Sequence, residues 1–436
     1  MKLSLEKHIN NDFPFIKGKK LLVAISGGID SVVLAHLLHG LGYEIFLAHC
    51  NFKLRGEASN LDEDFVKELG KELNVITFVK KFDTKEYAEK QKLSIQLAAR
   101  ELRYQWFSEI RKEHQLGYLV TGHHADDNLE TFLINMSRGT GLEGLTGIPK
   151  QNKEIIRPLL PFSREEILAY AKNNQIAWRE DASNSEIKYI RNRIRHQVIP
   201  VLKEINPNLL NSFSRTIAHL EESSAIIAEK VKEITPQILL KVGDEVRIDI
   251  EKVLKLSSPK AYLYALLKTY NFTEWDNVFD LLTAQSGKQI RSKTHVLLKD
   301  RAFLILKSRH EIAKGKQKFI IEKGITTVDE PIRLHIEIMD KKQSESKNYA
   351  LVNKNLVTFP MILRKREDGD FFYPTGMFGK KKVSKFFKDE KLSQFQKDET
   401  WLLCNANNEI IWIVGMRQDR RFLPTSTTEN FLKISI

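Results

Sequence analysis

The stretch Ser26-Gly27-Gly28-Ile29-Asp30-Ser31 lies between an apolar run at residues 21–25 and a second apolar run at residues 32–35. An apolar run, a glycine turn and a further apolar run predict a buried strand, a tight turn and a helix. This arrangement directs backbone N–H groups and the positive end of a helix dipole at one anion. The adjacent glycines let the backbone approach the anion, and the serines add hydroxyl donors. The sequence therefore predicts a phosphate-binding loop.

The order of residues in this loop differs from the two commoner phosphate loops, G-x-x-x-x-G-K-S/T and G-x-G-x-x-G. A carboxylate inside the loop, at Asp30, suits a metal ion chelated to the anion, because a bare carboxylate would repel phosphate. The alternative is an ordinary tight turn, since Gly and Ser are common turn formers. The hexapeptide resembles the pyrophosphate loop of the ATP pyrophosphatase family, whose members cleave ATP to AMP and pyrophosphate while adenylating a second substrate.

Composition narrows the class of protein. A chain of 436 residues with 42% hydrophobic and 29% charged residues predicts a soluble protein of two or three domains. Without a run of about 18 apolar residues or a secretory signal, we expect no membrane span and a cytoplasmic location. Two distant cysteines, Cys50 and Cys404, argue against a disulfide framework and a cysteine-based zinc site. The net charge of +13 favours a polyanionic partner.

Apolar runs alternate with amphipathic segments between residues 20 and 122. This alternation predicts an α/β fold with a doubly wound parallel sheet, whose ligands bind beyond the carboxyl ends of the strands. Helical patterns dominate the middle of the chain, where residues 163–166 form the pattern of a capping box. Residues 293–305 shift toward strand, and strand patterns return from about residue 359. We therefore expect a catalytic domain at 1–205, a mostly helical middle domain with a linker at 206–345, and a small basic α+β domain at 346–436.

A second polar constellation, Gly122–Thr131, follows the predicted strand at 118–121. Asp127 and Asp30 are expected to hold Mg²⁺ on ATP, because this ion takes a few carboxylates together with phosphate oxygens. Asp126 has an equally good alternative as a helix cap. His123 and His124 are adjacent rather than spaced, and no cysteine accompanies them, so we exclude a zinc site there.

The most basic short stretch of the first half covers residues 188–196. Arg191 and Arg195 are four positions apart, so they project together from a helix. Paired arginines suit phosphate, either of ATP or of an RNA backbone. A solvated helix face is the alternative.

Several motifs in order resemble the tRNA(Ile)-lysidine synthetase family. They are the loop 26–31 and the segments Ala98–Tyr104, Gly122–Thr131, Arg138–Gly147, Arg157–Leu159, Trp178–Asn184, Arg191–Arg195, Arg364–Asp370 and Gly379–Val383. Two departures are Gln96, where the family usually has Glu, and residues 392–397, which lack a Pro- and Arg-containing segment.

The resemblance implies modification of the wobble cytidine of the CAU-anticodon isoleucine tRNA. ATP would adenylate the oxygen on carbon 2 of the cytosine, and the side-chain amine of free L-lysine would displace AMP. The product, lysidine, switches codon reading from AUG to AUA. A homodimer is compatible with the sequence.

The resemblance also implies roles for individual residues, with ATP and Mg²⁺ as cofactors. The expected sets are ATP binding by Ser26, Gly27, Gly28, Ile29, Asp30 and Ser31; Mg²⁺ binding by Asp30 and Asp127; catalysis by Asp30, Asp127, Arg100 and Arg195; and tRNA binding by Arg191, Arg193, Lys380, Lys381 and Lys382.

Three other functions compete with this interpretation. A related tRNA thiolase generally needs catalytic cysteines or an iron–sulfur cluster, and Cys50 alone is too little. An amidotransferase-type synthetase needs a glutaminase cysteine, which Met1-Lys2 does not supply. A tRNA-binding protein with a degenerate nucleotide site is disfavoured by the intact Asp30 and Asp127, and ATP turnover would decide it.

Overall fold

The computed structural model describes residues 1–180, 190–310, 318–340 and 346–436. The end of the predicted motif 178–184, the start of the basic stretch 188–196 and parts of the expected linker lie outside the described residues. The chain forms two compact units, Met1–Ile227 and Ala228–Ile436.

The first unit contains the predicted parallel sheet, with strand order β3-β2-β1-β4-β6-β5. Its strands are β1 (Leu21–Ala24), β2 (Ile45–Asn51), β3 (Thr77–Lys81), β4 (Tyr118–Val120), β5 (Gln151–Asn152) and β6 (Ile155–Ile156). All neighbours are parallel except β5, which pairs antiparallel with β6. The register places Leu21 opposite both Ile45 and Tyr118. The α/β fold class predicted for this region is therefore confirmed.

Helices cover the sheet of the first unit. They are α1 (Lys2–Asp12), α2 (Ile29–Gly40), α3 (Glu57–Glu72), α4 (Thr84–Gln91), α5 (Ile95–Glu113), α6 (Ala125–Ser137), α7 (Leu142–Leu145), α8 (Arg164–Asn173), α9 (Ile190–Arg193), a π turn (Ile194–Val198) and α10 (Ile199–Ile205). Helix α2 is apolar nearly all round and is buried in the main core. At α8 the side chain of Ser163 accepts from the backbone N–H of Glu166, so the predicted capping box is present.

The chain order of the strands positions the site. From β1 the chain moves outward through β2 and β3, and β4 then returns to the other side of β1. The carboxyl ends of β1 and β4 therefore meet at a topological switch point, where open α/β sheets bind ligands. The loop 26–31 follows β1, and the segment 122–131 follows β4.

Helix α11 (Leu209–Ile238) begins in the first unit and ends in the second. The second unit then has helices α12 (Ile250–Leu254), α13 (Pro259–Leu267) and α14 (Trp275–Asp280). These helices accompany a five-stranded antiparallel sheet of order β7-β8-β11-β10-β9. The prediction of a mostly helical middle region included this sheet only as the shift toward strand at 293–305. Its strands are β7 (Leu239–Val242), β8 (Glu245–Asp249), β9 (Gln289–Arg291), β10 (His295–Asp300) and β11 (Phe303–Ser308).

The last part of the second unit is rich in strands, which form sheets β12-β16-β19-β20-β21, β13-β14-β22-β15 and β17-β18. The elements are β12 (Phe319–Ile321), β13 (Thr327–Val328), β14 (Leu334–Met339), β15 (Tyr349–Asn353), β16 (Met361–Lys365), β17 (Phe371–Phe372), β18 (Lys381–Lys382), α15 (Val383–Asp389), α16 (Gln394–Glu399), β19 (Trp401–Cys404), β20 (Ile410–Ile413), β21 (Arg417–Gln418) and β22 (Phe431–Ser435). Within the described ranges, none of the helices has both the length and the apolar character needed to cross a membrane.

Candidate active site

The loop after β1 is held in shape by its own serines. The hydroxyl of Ser31 lies 3.1 Å from both the backbone N and the hydroxyl of Ser26, and it donates to the carbonyl of Gly28 at 3.0 Å. The Gly28 N–H in turn donates to the hydroxyl of Ser26 at 3.2 Å. Gly27 has φ +92°, a conformation that favours glycine. The hydroxyls of Ser26 and Ser31 therefore form hydrogen bonds within the loop and stabilise its shape.

The segment after β4 packs directly on this loop at Gly122. A Cβ on Gly122 would lie 3.1 Å from the carbonyl carbon of Asp30 and 3.1 Å from the nitrogen of Ser31. Because both neighbours are backbone atoms in the first turn of α2, only glycine fits without a shift of this turn against the segment after β4.

A buried histidine joins the two predicted carboxylates. His124 is 1% exposed, and its Nε2 lies 3.7 Å from Oδ2 of Asp30 and 3.4 Å from Oδ2 of Asp127. Asp127 also accepts from the backbone N–H of His124 at 3.2 Å, which closes the first turn of α6. The structure thus brings Asp30 and Asp127 to one point beside the loop.

Asp30 fits the role of a cation ligand. Its Oδ1 is buried and has no hydrogen-bond partner among the described residues. Burial raises the pKa of this carboxyl, while the nearby His124 and Arg164 oppose that rise. In the described part of the chain, no group of three or more His, Cys, Asp or Glu side chains could hold a metal by itself. Two carboxylates completed by phosphate and water oxygens are the arrangement that suits Mg²⁺.

The contacts of Asp126 indicate a structural role. Its carboxylate accepts from the backbone N–H of Arg164 at 2.9 Å and from Lys203 Nζ at 3.1 Å. Burial would raise the pKa of Asp126, but the Arg164 N–H and Lys203 outweigh it and lower the pKa. The carboxylate therefore ties α6 to the start of α8.

Glu130 holds the predicted arginines in place. It is 1% exposed, its Oε1 accepts from Arg195 Nε at 2.5 Å, and its Oε2 lies 3.4 Å from Arg191 Nε. Arg195, within the π turn, also reaches Asp127 Oδ1 at 3.2 Å. Burial raises the pKa of Glu130, and Arg195 partly offsets that rise. The spacing of Asp127 and Glu130 in the sequence predicts that the two carboxylates share a helix face, but it does not predict these arginine partners.

The other predicted residues are exposed on the first unit or belong to the second unit. Arg100 is exposed on α5, with its guanidinium 5.1 Å from the ring centre of Tyr104. Arg193 is exposed one residue before the π turn. Lys380, Lys381 and Lys382 belong to the second unit.

Arg179 forms a hydrogen bond to the phosphate loop, a role that was not predicted from the sequence. The backbone N–H of Arg179 donates to the carbonyl of Gly27 at 3.0 Å. The side chain of Arg179 bonds Asp62 at 2.6 Å, and Arg55 bonds the other oxygen of Asp62 at 2.7 Å. The available signal was the position of Arg179 in the motif 178–184.

This geometry is that of a PP-loop nucleotide-binding domain. Residues 1–202 match the family model described as the PP-loop domain. Residues 241–323 match the TilS substrate binding domain, and residues 361–434 match the TilS substrate C-terminal domain.

Relatives that match nearly the whole chain show the family to which it belongs. The chain is 40% identical over 445 residues to the tRNA(Ile)-lysidine synthase of Parabacteroides distasonis, covering 100% of this chain and 98% of that protein. It is 36% identical to the enzyme of the same name from Bacteroides thetaiotaomicron, covering 98% and 97%. The chain belongs to the tRNA(Ile)-lysidine synthase family.

Solved structures resemble parts of the chain more distantly. The U34-tRNA thiolase NcsA from Methanococcus maripaludis aligns with a TM-score of 0.43 and 18% identity over 51% of this chain and 78% of that chain. A TILS C-terminal domain aligns with a TM-score of 0.25 and 17% identity over 27% of this chain and 95% of that chain.

Proposed function

We propose that this protein uses ATP to attach free L-lysine to carbon 2 of the wobble cytidine in the CAU-anticodon isoleucine tRNA. Family membership supports the reaction class. The observation that carries the proposal is that Asp30 and Asp127 both lie close to Nε2 of buried His124, beside the loop 26–31. Carboxylates beside a phosphate loop serve both metal binding and proton removal from an amine.

The first step is adenylation. The oxygen on carbon 2 of cytosine attacks the α-phosphorus of ATP, and pyrophosphate leaves. Backbone N–H groups of residues 26–31 and the N-terminus of α2 provide the anion site for the pyrophosphate. Asp30 and Asp127 are the residues that would hold Mg²⁺, whose charge would offset that of the phosphates.

The second step replaces AMP by lysine. The side-chain nitrogen of lysine forms a bond to carbon 2, the bond from carbon 2 to the adenylated oxygen breaks, and AMP carries that oxygen away. Because an ammonium ion is not a nucleophile, a carboxylate must take its proton. Asp30 and Asp127 are the candidates, since both lie at the junction of the loop and α6.

Arginines would stabilise the growing negative charge on the leaving groups. Arg195 is oriented by Glu130 and Asp127, so its guanidinium is preorganised. Arg100 is exposed, and its charge is accessible to a substrate. Arg191, Arg193 and the lysines at 380–382 are proposed to contact the tRNA backbone.

The test is incorporation of labelled lysine into CAU-anticodon isoleucine tRNA by the purified protein with ATP and Mg²⁺. Elongator methionine tRNA, which shares the CAU anticodon, is the control. Labelling of the isoleucine tRNA alone supports the proposal. ATP cleavage to AMP and pyrophosphate without labelling would keep the adenylation step and contradict lysine as the nucleophile.

We also propose a homodimer and a cytoplasmic location. Light scattering of the same preparation tests whether the protein is a dimer.

A further inference from the structure

A fully exposed aromatic side chain lies in the last part of the second unit. Phe378 is 100% exposed, and its neighbours Met377 and Phe371 are 49% and 42% exposed. Scattered exposed apolar residues are ordinary, but a group of them beside a cavity marks an interaction site. The cavity here measures about 630 Å³. Its lining includes Phe371, Met377, Phe378, Lys380, Lys382 and Lys385.

The segment that carries Phe378 is held by hydrogen bonds to residues 419 and 420. Arg420 Nη1 donates to the carbonyl of Met377 at 3.1 Å, and the Tyr373 N–H donates to the fully buried Asp419 at 2.9 Å. Gly376 and Gly379, with φ +76° and +90°, bracket the tip. The ring is therefore presented to solvent by a held turn rather than by a free chain end.

Lysine side chains line the same cavity as Phe378. Lys380 Nζ lies 5.2 Å from the ring centre of Phe371, and both Lys382 and Lys385 are exposed. Asp389, the acidic residue of the cavity lining, pairs with Lys381 Nζ at 2.7 Å. An aromatic face among cations is the arrangement used for single-stranded nucleic acid, where bases stack and lysines track phosphates.

We propose that Phe378 stacks on an unpaired base of the tRNA while Lys380, Lys382 and Lys385 contact the flanking phosphates. The inference rests on the proposed function for the identity of the RNA. It adds an attachment point for an unpaired nucleotide outside the PP-loop domain. An RNA occupant is favoured over a protein because the uncompensated charge of the rim is positive.

Binding of the full-length protein to isoleucine tRNA tests the proposal through four variants at one position. Phe378→Ala and Phe378→Leu should weaken binding about 5- to 100-fold, since stacking is lost in both. Phe378→Tyr and Phe378→Trp should bind like the wild type, and Phe378→Trp should show fluorescence quenching on addition of tRNA. The salt dependence of binding should stay unchanged in all four, because no charge is altered. Ile320→Ala, at a 66% exposed position on β12, is the control and should bind normally.

RNA ligands separate the sources of the base. If the Phe378→Ala defect disappears with tRNA lacking its single-stranded 3′ end, the base is in that end; if it persists, the base is in a loop, and both results support stacking. An equal defect with a blunt RNA duplex would overturn the proposal, since a duplex offers no unpaired base. A change in oligomeric state without a change in tRNA affinity would also overturn it, in favour of a protein contact. Lysine incorporation by the wild type is scored separately, so a normal Phe378→Ala variant in an active enzyme refutes only the stacking.

Discussion

Asp30 has a buried carboxylate oxygen, Oδ1, that lacks a hydrogen-bond partner among the described residues, and this predicts a specific phenotype. Asp30→Ala should reduce pyrophosphate release at least about 100-fold, the order of loss that removal of one preorganised hydrogen-bonding group causes in other active sites. The unfolding midpoint should stay within a few degrees of the wild type, because burial already raises the pKa of Asp30 and penalises its charged form. Pyrophosphate release and thermal unfolding measure the two effects.

The matched control for Asp30 is Asp64→Ala, which removes a carboxylate with a 71% exposed side chain on α3. Asp64→Ala should keep wild-type turnover. Retained turnover in Asp30→Ala would contradict the role of Asp30, whereas a large fall in its unfolding midpoint would show that the residue acts through the fold.

The burial of His49 predicts that the stability of the folded protein decreases in acid. It is 5% exposed, its Nδ1 lies 3.0 Å from the carbonyl of Ile25, and burial lowers its pKa. The folded protein therefore keeps His49 neutral at a pH where the unfolded chain protonates it, so stability falls as the pH drops below about 6.5. His49→Gln should take up about one proton fewer on unfolding in that window.

Urea unfolding between pH 7 and pH 5 measures this proton uptake. His219→Gln, at a 78% exposed side chain on α11, controls for the loss of a histidine in general. Identical pH slopes for His49→Gln and the wild type would contradict the prediction.

Residue types and spacing predicted that Asp30 and Asp127 lie at one edge of the sheet, but they did not predict the partners that orient these carboxylates. The strand-to-loop pattern placed both carboxylates at one sheet edge, and the structure brings both near His124. Glu130 and Asp62 act through long-range pairs, with Arg195 and with Arg179. Such pairs depend on how distant segments fold together, so no local pattern could reveal them.

At the scale of elements, the contact between the segment after β4 and the first turn of α2 depends on Gly122. Gly122→Ala places a Cβ 3.1 Å from backbone atoms of Asp30 and Ser31, so the phosphate loop must shift. We expect a loss of stability of about 1–3 kcal/mol, typical of overpacking, together with a larger loss of turnover. Gly141→Ala is the matched control, because its Cβ would meet nothing within 4 Å in the described chain. Equal urea midpoints and turnover for the two variants would refute the close contact.

Element prediction succeeded where a strand was buried or a helix was capped, and it failed where strands were exposed or very short. The buried runs of β1 and β2 and the capped start of α8 were predicted because each carries a local signal. The sheet formed by β7 to β11 was mostly missed because β7 is largely exposed and β9 has only three residues. Only the apolar stretch around β10 and β11 gave a strand signal, and pairing between distant strands supplies the rest.

At the scale of the whole molecule, the charge of +13 becomes meaningful only when each cation is located. The three lysines at 380–382 look alike in the sequence, yet the structure separates them. Lys381 pairs with Asp389 at 2.7 Å and lies over Phe386, whereas Lys380 and Lys382 are exposed. Exposed lysines can bind phosphates and release their counterions. The charge of Lys381 is instead paired with the carboxylate of Asp389 within the protein.

The salt dependence of tRNA binding distinguishes these two uses of charge. The double variant Lys380→Ala/Lys382→Ala should lower the slope of log affinity against log salt by about 1.5, since each phosphate contact contributes about 0.7–0.9. Lys381→Ala should change this slope less and instead lower the unfolding midpoint, because Asp389 loses its partner. The KM for ATP should stay constant in the double variant, since its lysines lie outside the PP-loop domain at residues 1–202. An equal slope change for Lys381→Ala and the double variant would mean that the Asp389 pair opens when tRNA binds. An unchanged slope in the double variant would remove residues 380 and 382 from the tRNA contact altogether.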